Sequence, residues 1–152
     1  MAFSFSGENE IAGAASFILD PLSPAGVPAR ELGVYSESIS PIDAASAVSR
    51  SIFIAPYAMR LIGVQAVFGT AGGAAAAVTV EKLTGTTAPA GGTALLTATL
   101  SLTGAANTVA SGTLVSTAAS LTLAAGDRLG LVFSGTQTGL VGLVVSLQVQ
   151  KN

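Results

Sequence analysis

Apolar and polar residues alternate with a period of two along much of the chain after residue 50, most clearly in the segment Leu121–Phe133. Apolar side chains occupy positions 121, 123, 129, 131 and 133, which a strand would place on one face of a half-buried sheet. Gly126 and Asp127 lie between the two runs. Glycine adopts positive φ freely and aspartate bonds the local backbone, so both residues are typical of turns. The segment is predicted to form a strand, a tight turn and a second strand.

Similar patterns predict eight strands after residue 50, separated by turns rich in glycine, alanine and proline. The predicted strands are Arg50–Ala55, Met59–Phe68, Ala76–Leu83, Ala94–Ser101, Gly112–Ser116, Ser120–Leu123, Arg128–Ser134 and Val141–Gln150. Eight short strands in about 100 residues are typical of a β-sandwich, and in particular of a jelly roll. The fold class that we predict is therefore all-β, an eight-stranded antiparallel jelly roll.

The first 49 residues differ in composition from the rest of the chain. Residues 1–50 contain six acids and two bases, whereas residues 51–152 contain two acids and four bases. Five of the six prolines lie at or before position 56, and all threonines lie after position 69. Because proline lacks an amide donor and disfavours helix before it, we expect an extended, mostly irregular N-terminal arm at residues 1–49 and a β domain at residues 50–152. A short helical turn capped by Asp43 is expected at residues 44–49.

Two interpretations of the arm are open. It is either an unstructured tail or a segment that becomes ordered by lying along a neighbouring subunit. The second is favoured because the arm is too apolar for a chain that stays in water. The candidate interface residues of the arm are Phe3, Phe5, Phe17, Ile18, Leu19, Leu22, Val34 and Tyr35.

The composition argues against catalysis. The chain has no cysteine and no histidine, which removes the thiolate nucleophile, the commonest general base and the commonest nitrogen ligand of metals. The glycine-rich segments at 69–74 and 85–93 lack the Gly-Lys-Ser/Thr ending of a phosphate-binding loop. The neighbouring charges Glu81–Lys82 and Asp127–Arg128 are interpreted as solvated strand ends. We expect no enzymatic activity, no cofactor and no metal.

Charged residues make up only 9% of the chain and its net charge is −2, which leaves no basic surface for nucleic acid. The least polar run, residues 139–147, is shorter than the ~20 residues that cross a membrane as a helix. The N-terminus has no signal-peptide pattern, so we expect no secretion. So few charges suggest a surface hidden against neighbours in an assembly.

Threonines at alternate strand positions are expected to be exposed, and they either face solvent or pack against identical copies. They are Thr97, Thr99, Thr113, Thr117 and Thr122.

The segments Val80–Thr93, Leu100–Val109 and Leu121–Leu129 together resemble a jelly-roll domain of structural proteins of tailed bacteriophages, notably capsid decoration (cement) and head-fibre proteins. The Gly-Thr-Thr-Ala-Pro and Ala-Ala-Gly-Asp-Arg-Leu pieces are the most specific. The resemblance covers about residues 50–150. It implies a β knob on the outer surface of the virion capsid, held as a dimer or trimer over joints between major capsid proteins, with an N-terminal arm that reaches onto neighbours and with no catalytic residues.

The leading hypothesis is therefore a cement protein that stabilises the head by bridging major capsid proteins. It predicts a homo-oligomer with neither nucleic acid nor membrane as a partner. One alternative is a fibre or spike domain that binds a host-surface glycan, which an aromatic content of 5% without tryptophan disfavours. Another alternative is a monomeric, non-viral β-sandwich that acts as a binding module.

Overall fold

The computed structural model describes residues 34–152, which form an all-β fold with about 48% strand and 6% helix, in two antiparallel sheets packed together as a β-sandwich. A 3₁₀ helix lies at Ala44–Ser46 and a short α-helix, α1, at Ala118–Leu121. The strands are β1 (Val34–Ile42), β2 (Arg50–Ile54), β3 (Met59–Val67), β4 (Ala77–Leu83), β5 (Thr93–Ala94), β6 (Leu100–Ser101), β7 (Ala110–Ser111), β8 (Thr122–Leu123), β9 (Arg128–Ser134) and β10 (Leu143–Lys151).

The two sheets share the strands equally. Sheet 1 has the order β1-β10-β3-β7, and β8 also pairs with β3; sheet 2 has the order β2-β9-β4-β5, and β6 also pairs with β4. Alternate residues of the four central strands form the core: Leu61 and Leu147 from sheet 1 meet Val80 and Leu131 from sheet 2, and each is at most 1% exposed. Full burial of one such side chain contributes about 1.5–3 kcal/mol, so alternation on both sheets is what holds the sandwich together.

Five predicted strands are confirmed to within two residues at each end. They are Arg50–Ala55, Met59–Phe68, Ala76–Leu83, Arg128–Ser134 and Val141–Gln150, which correspond to β2, β3, β4, β9 and β10.

The segment Leu121–Phe133 contains two strands and a turn, but the strands lie in different sheets. β8 pairs with β3 in sheet 1, whereas β9 pairs with β2 and β4 in sheet 2. The turn itself has the expected chemistry, because Gly126 has φ of 89° and Asp127 Oδ2 accepts a hydrogen bond from Ala124 N at 2.9 Å. The expectation of a single sheet face was wrong: the turn crosses between sheets, and both strands bury their leucines in the common core.

The predicted strand Ala94–Ser101 is interrupted in the middle. Only its ends, β5 and β6, pair with β4, while Leu96 forms a bridge with Leu114. Leu95 and Leu96 are neighbours and are 0% and 5% exposed. Regular alternation cannot bury two adjacent residues, so the chain leaves sheet 2 and pairs through Leu96 with Leu114. The prediction of a strand at Gly112–Ser116 was wrong, because the strand in this region is β7, Ala110–Ser111, and residues 112–116 contain only this isolated bridge.

The predicted strand Ser120–Leu123 is helical in its first half. Helix α1 precedes β8, and Thr122 Oγ1 donates a hydrogen bond to Ala118 O at 3.0 Å. Two alanines begin α1, and alanine is the best helix former; their propensity overrides the strand pattern.

The β domain begins earlier than the predicted boundary at residues 49/50. β1 lies in sheet 1 beside β10, with Ser36 Oγ and Ser146 Oγ 3.1 Å apart. Pro41 fits within β1 because this strand is at the edge of the sheet, where one side needs no amide donor. Residues 34–49 of the predicted arm are therefore part of the sandwich.

The helical turn expected after Asp43 forms at three residues of the six predicted. Ser46 Oγ accepts a hydrogen bond from Asp43 N at 3.0 Å, and Asp43 Oδ1 accepts one from Gly142 N at 2.7 Å. Ala44 N also donates to Leu140 O at 2.8 Å. Asp43 thus ties the loop that follows β1 to the loop that precedes β10.

Candidate interaction surfaces

One end of the sandwich, which we call the loop end, carries the loops that follow β2, β4 and β8. The first and third of these loops bond each other: Ala55 N donates to Asp127 O and Gly126 N donates to Ala55 O, both at 2.8 Å. The C-terminus lies beside them, since Asn152 N donates to Ala58 O at 3.2 Å.

The carboxylate of Glu81 holds the loop of residues 84–92, which follows β4. Glu81 Oε2 accepts hydrogen bonds from Ala90 N and Gly92 N, each at 3.0 Å, and Glu81 is only 9% exposed. A buried carboxylate is costly unless it is hydrogen-bonded, and hydrogen bonds to charged groups contribute about 1.5–3 kcal/mol. Glu81 therefore fastens the C-terminal end of this loop.

The guanidinium of Arg128 holds the other end of the same loop. Arg128 Nη2 donates to Gly85 O and Thr87 O, both at 2.9 Å, and Nη1 donates to Ser51 Oγ at 3.4 Å. Arginine suits this role because its planar fork of donors can bind several acceptors at fixed angles. We call Glu81, Arg128 and residues 84–92 the loop latch.

The loop latch covers part of the outer face of sheet 2. Leu83 points outward from β4, yet it is 0% exposed. Its side chain lies over Gly130 and against Gly92, where an added Cβ would be 2.8 Å and 2.5 Å from the Leu83 methyl groups. The loop and these two glycines thus enclose a small second apolar cluster outside the main core.

The side chain of Lys82 binds backbone oxygens at the end of helix α1. Lys82 Nζ donates to Ala119 O at 3.2 Å and to Thr122 O at 3.1 Å. Carbonyls at a helix C-terminus lack partners within the helix and carry partial negative charge. Lys82 therefore links sheet 2 to the segment that leads into β8 of sheet 1.

The interpretation of these charges as solvated strand ends was wrong for Glu81, which is only 9% exposed, whereas Lys82, Asp127 and Arg128 are partly exposed residues at strand ends. All four side chains bond backbone or side-chain groups, and none is fully exposed. Sequence offered one signal that could have identified Glu81: it is an acid inside a strand pattern, shortly before a glycine-rich loop whose amides need acceptors.

Only two of the predicted arm residues fall within the described part of the chain. Val34 and Tyr35 begin β1 and are 39% and 41% exposed. Tyr35 lies near Tyr57, in the loop after β2, and Lys151 Nζ lies 5.3 Å from the centroid of the Tyr57 ring, within range of a cation–π interaction. Tyr35 therefore lies near the loop end. The other arm residues, Phe3, Phe5, Phe17, Ile18, Leu19 and Leu22, lie outside the described residues.

A hydrogen bond in which the neutral Tyr57 hydroxyl donates to Tyr35 raises the pKa of Tyr57 above its ordinary value of 10.0, with smaller contributions from burial and from the charge of Tyr35. The raised pKa means that folding favours the neutral phenol, so this stabilisation is present below pH 10 and is lost as the pH rises through the raised pKa. Replacing Tyr35 with phenylalanine should lower the pKa of Tyr57.

A phenolate absorbance titration can test this because the chain has only two tyrosines and no tryptophan. In the Tyr35→Phe variant the absorbance reports Tyr57 alone, and its midpoint should lie below the upper midpoint of the wild-type titration. Equal midpoints would show that the two hydroxyl groups are not coupled.

On the outer face of sheet 1, three neighbouring residue pairs of β3 and β10 are uncharged, and we call these six positions the bare face. Arg60, paired with Gln150, is exposed on the same side of the sheet, near the start of β3. Val109, beside the bare face, is 59% exposed. An open recess of about 100 Å³ lies between Val67, Val109 and Val144. The paired residues of the bare face are Val67 with Val144, Gln65 with Ser146 and Gly63 with Gln148. Sequence analysis did not single these residues out, although the alternation of Val144, Ser146 and Gln148 was visible.

The predicted exposure of the threonines is confirmed for four of five positions. Thr97, Thr99, Thr113 and Thr117 are exposed, and Thr122 is half-buried. Whether these hydroxyl groups face solvent or an identical copy stays a prediction.

Across residues 34–152, no group of three or more acidic side chains is placed to hold a metal ion. In the same range, no helix has the length and apolar character needed to cross a membrane. Comparison with known proteins found no matching protein family, curated protein or solved structure.

Proposed function

We propose that this chain is a capsid decoration (cement) protein of a tailed bacteriophage, which binds the outer surface of the head and stabilises it by bridging major capsid proteins. One observation carries the proposal: the two most specific segments of the resemblance are in contact. Arg128, from Ala-Ala-Gly-Asp-Arg-Leu, donates to the carbonyls of Gly85 and Thr87, from Gly-Thr-Thr-Ala-Pro. A chance likeness of two short segments about 40 residues apart would not require contact between them.

The proposal includes a jelly-roll topology, and the strand order supports it. If β5 and β6 count as one interrupted strand, and β7 and β8 as another, the domain has eight strands. Renumbered in this way, the orders are 1-8-3-6 in sheet 1 and 2-7-4-5 in sheet 2. Two Greek-key units folded into a sandwich produce this arrangement.

The charges of the β domain also suit a protein that docks onto a large surface. Glu81, Lys82, Asp127 and Arg128 are engaged in hydrogen bonds within the chain. Contacts with the head would then rely on apolar burial and neutral hydrogen bonds, repeated over many copies so that weak contacts add up to strong avidity. Because salt screens charges and leaves apolar contacts intact, we expect the contacts that the β domain itself makes with the head to change little between low and high salt.

Deleting residues 2–22 should abolish head binding while the β domain stays folded. The deletion removes six of the eight apolar arm residues and leaves the described sandwich untouched. Occupancy on purified mature heads of the encoding phage can be measured by sedimentation and gel densitometry, with circular dichroism as the test of folding.

A second variant keeps the length of the arm and replaces Phe3, Phe5 and Phe17 with serine. It should also weaken head binding, which would show that the apolar side chains matter and not the length of the arm alone. Wild-type occupancy by the truncated chain would exclude the arm as the anchor. Failure of the full-length chain to bind heads at all would refute the cement function itself.

A further inference from the structure

The two outer faces of the sandwich differ in how far other parts of the chain cover them. On sheet 2, the loop latch covers Leu83 completely. On sheet 1, the bare face stays open in the described part of the chain, where Gln65, Ser36 and Val109 are exposed. We propose that the bare face binds the bare face of a second copy of this chain.

The charge of the bare face favours an identical copy over other partners. The six residues that form it on β3 and β10 are valine, glutamine, serine and glycine. The charges of the same sheet lie beside them: Arg60 is near the start of β3, and Glu37 is on β1. Around a symmetry axis each residue meets its own copy, so a charge near the axis would oppose a like charge at a cost of several kcal/mol. Serine and glutamine side chains carry both donors and acceptors and can pair with themselves.

The shape of the bare face is also self-complementary. Val109 is 59% exposed and stands beside the recess of about 100 Å³ that Val67 and Val144 help to line. Between the strands, Gly63 leaves space for the Gln148 side chain to lie flat, since an added Cβ would be 2.6 Å from Gln148 Oε1. An apolar projection next to an apolar recess on a flat sheet allows each copy to fill the recess of the other.

The size of the face sets the strength of the association. In sheet 1, β1, β3 and β10 are each nine residues long, whereas β7 and β8 have two residues each. The three long strands present roughly 450 Å² to a partner. Two such faces bury about 900 Å² in total, which is the size of a weak, transient interface. The association of the purified chain is therefore reversible and depends on concentration.

Replacing Val109 with aspartate tests the proposal by sedimentation equilibrium of the full-length chain. The substitution places like charges against each other in the interface, and it should weaken self-association at least tenfold. The matched control is Val48→Asp, because Val48 is 62% exposed and lies in the loop before β2, away from the bare face. Circular dichroism should show that both variants fold, and the control should associate like the wild type.

A second measurement locates the interface without weakening it. The chain contains no cysteine, so a spin label on Gln65→Cys reports this one position, and a label on Val48→Cys serves as the control. In the oligomer, the spectrum of the spin label at position 65 should be broadened by the label of the neighbouring copy. The spectrum of the label at position 48 should not be broadened. A wild-type chain that stays monomeric, or broadening at position 48 alone, would overturn the proposal.

The proposal is separate from the capsid, because both measurements use the purified chain alone. If the wild type is monomeric and deletion of residues 2–22 makes it associate through position 65, the natural occupant is the chain's own N-terminal segment and the proposal is wrong. Loss of head binding without loss of self-association would affect only the cement function.

Discussion

Replacing Gly135 with alanine should lower the free energy of unfolding of the chain by about 3 kcal/mol or more. Gly135 has φ of 72°, a conformation that L side chains rarely adopt. An added Cβ would also overlap the carbonyl of Ala75 and lie 2.8 Å from Ala76 N. These atoms belong to the backbone of the loop between β3 and β4, which Thr136 N binds through Ala74 O at 3.0 Å. The overlap could be relieved only if the loop after β9 moved away from the loop between β3 and β4.

Gly126→Ala is the matched control, because Gly126 has φ of 89° but no atom within 4 Å of its added Cβ. It carries only the cost of positive φ, which is about 1–2 kcal/mol. Urea unfolding followed by circular dichroism measures both variants, and the difference between them isolates the close approach of the two loops. Equal losses would show that the loops near Gly135 have room to adjust.

Period-two patterns predicted the central strands because these strands have one face in the core. In β3 and β10, alternate residues are buried and the intervening ones are more exposed over most of each length. In β4 and β9, residues on the outer face, such as Glu81 and Gly130, are buried as well, so their burial does not alternate regularly. A shift of one residue would exchange the two faces of such a strand, so the pattern identifies both the strand and its inward face.

The same patterns failed where a strand lies at an edge or changes sheets. β1 contains Pro41 and polar residues, and its last residue, Ile42, is 0% exposed. The pairing of β8 and β9 with different sheets depends on strands distant in sequence. Alternation shows which side chains of a strand face the core. It does not show to which of the two sheets the strand belongs.

The interaction surfaces were harder to predict than the strands for the same reason. Glu81 reaches amides nine and eleven residues away, and Arg128 reaches carbonyls more than 40 residues away. Contacts of this kind follow from how the loop of residues 84–92 folds over sheet 2. The sequence marked both segments as unusual, yet only the fold shows that they form one latch.

Replacing Glu81 with alanine should lower the free energy of unfolding by about 2–3 kcal/mol, because Ala90 N and Gly92 N lose their acceptor beside the buried Leu83. Glu81→Gln keeps the shape and one acceptor oxygen, so its loss should be smaller. Arg128→Ala should also destabilise, and the double variant should lose less than the sum of the single losses, because both residues hold one loop.

The matched control is Glu37→Ala, since Glu37 is an exposed acid on β1 and its removal should change stability by less than about 0.5 kcal/mol. Urea unfolding measures the stabilities, and hydrogen exchange of the Ala90 and Gly92 amides reports the latch directly. In Glu81→Ala both amides should lose protection while those of β3 and β10 keep it, because a loop can open without the core. Protection that persists at Ala90 and Gly92 would mean that the loop is held over Leu83 by packing alone, without the carboxylate.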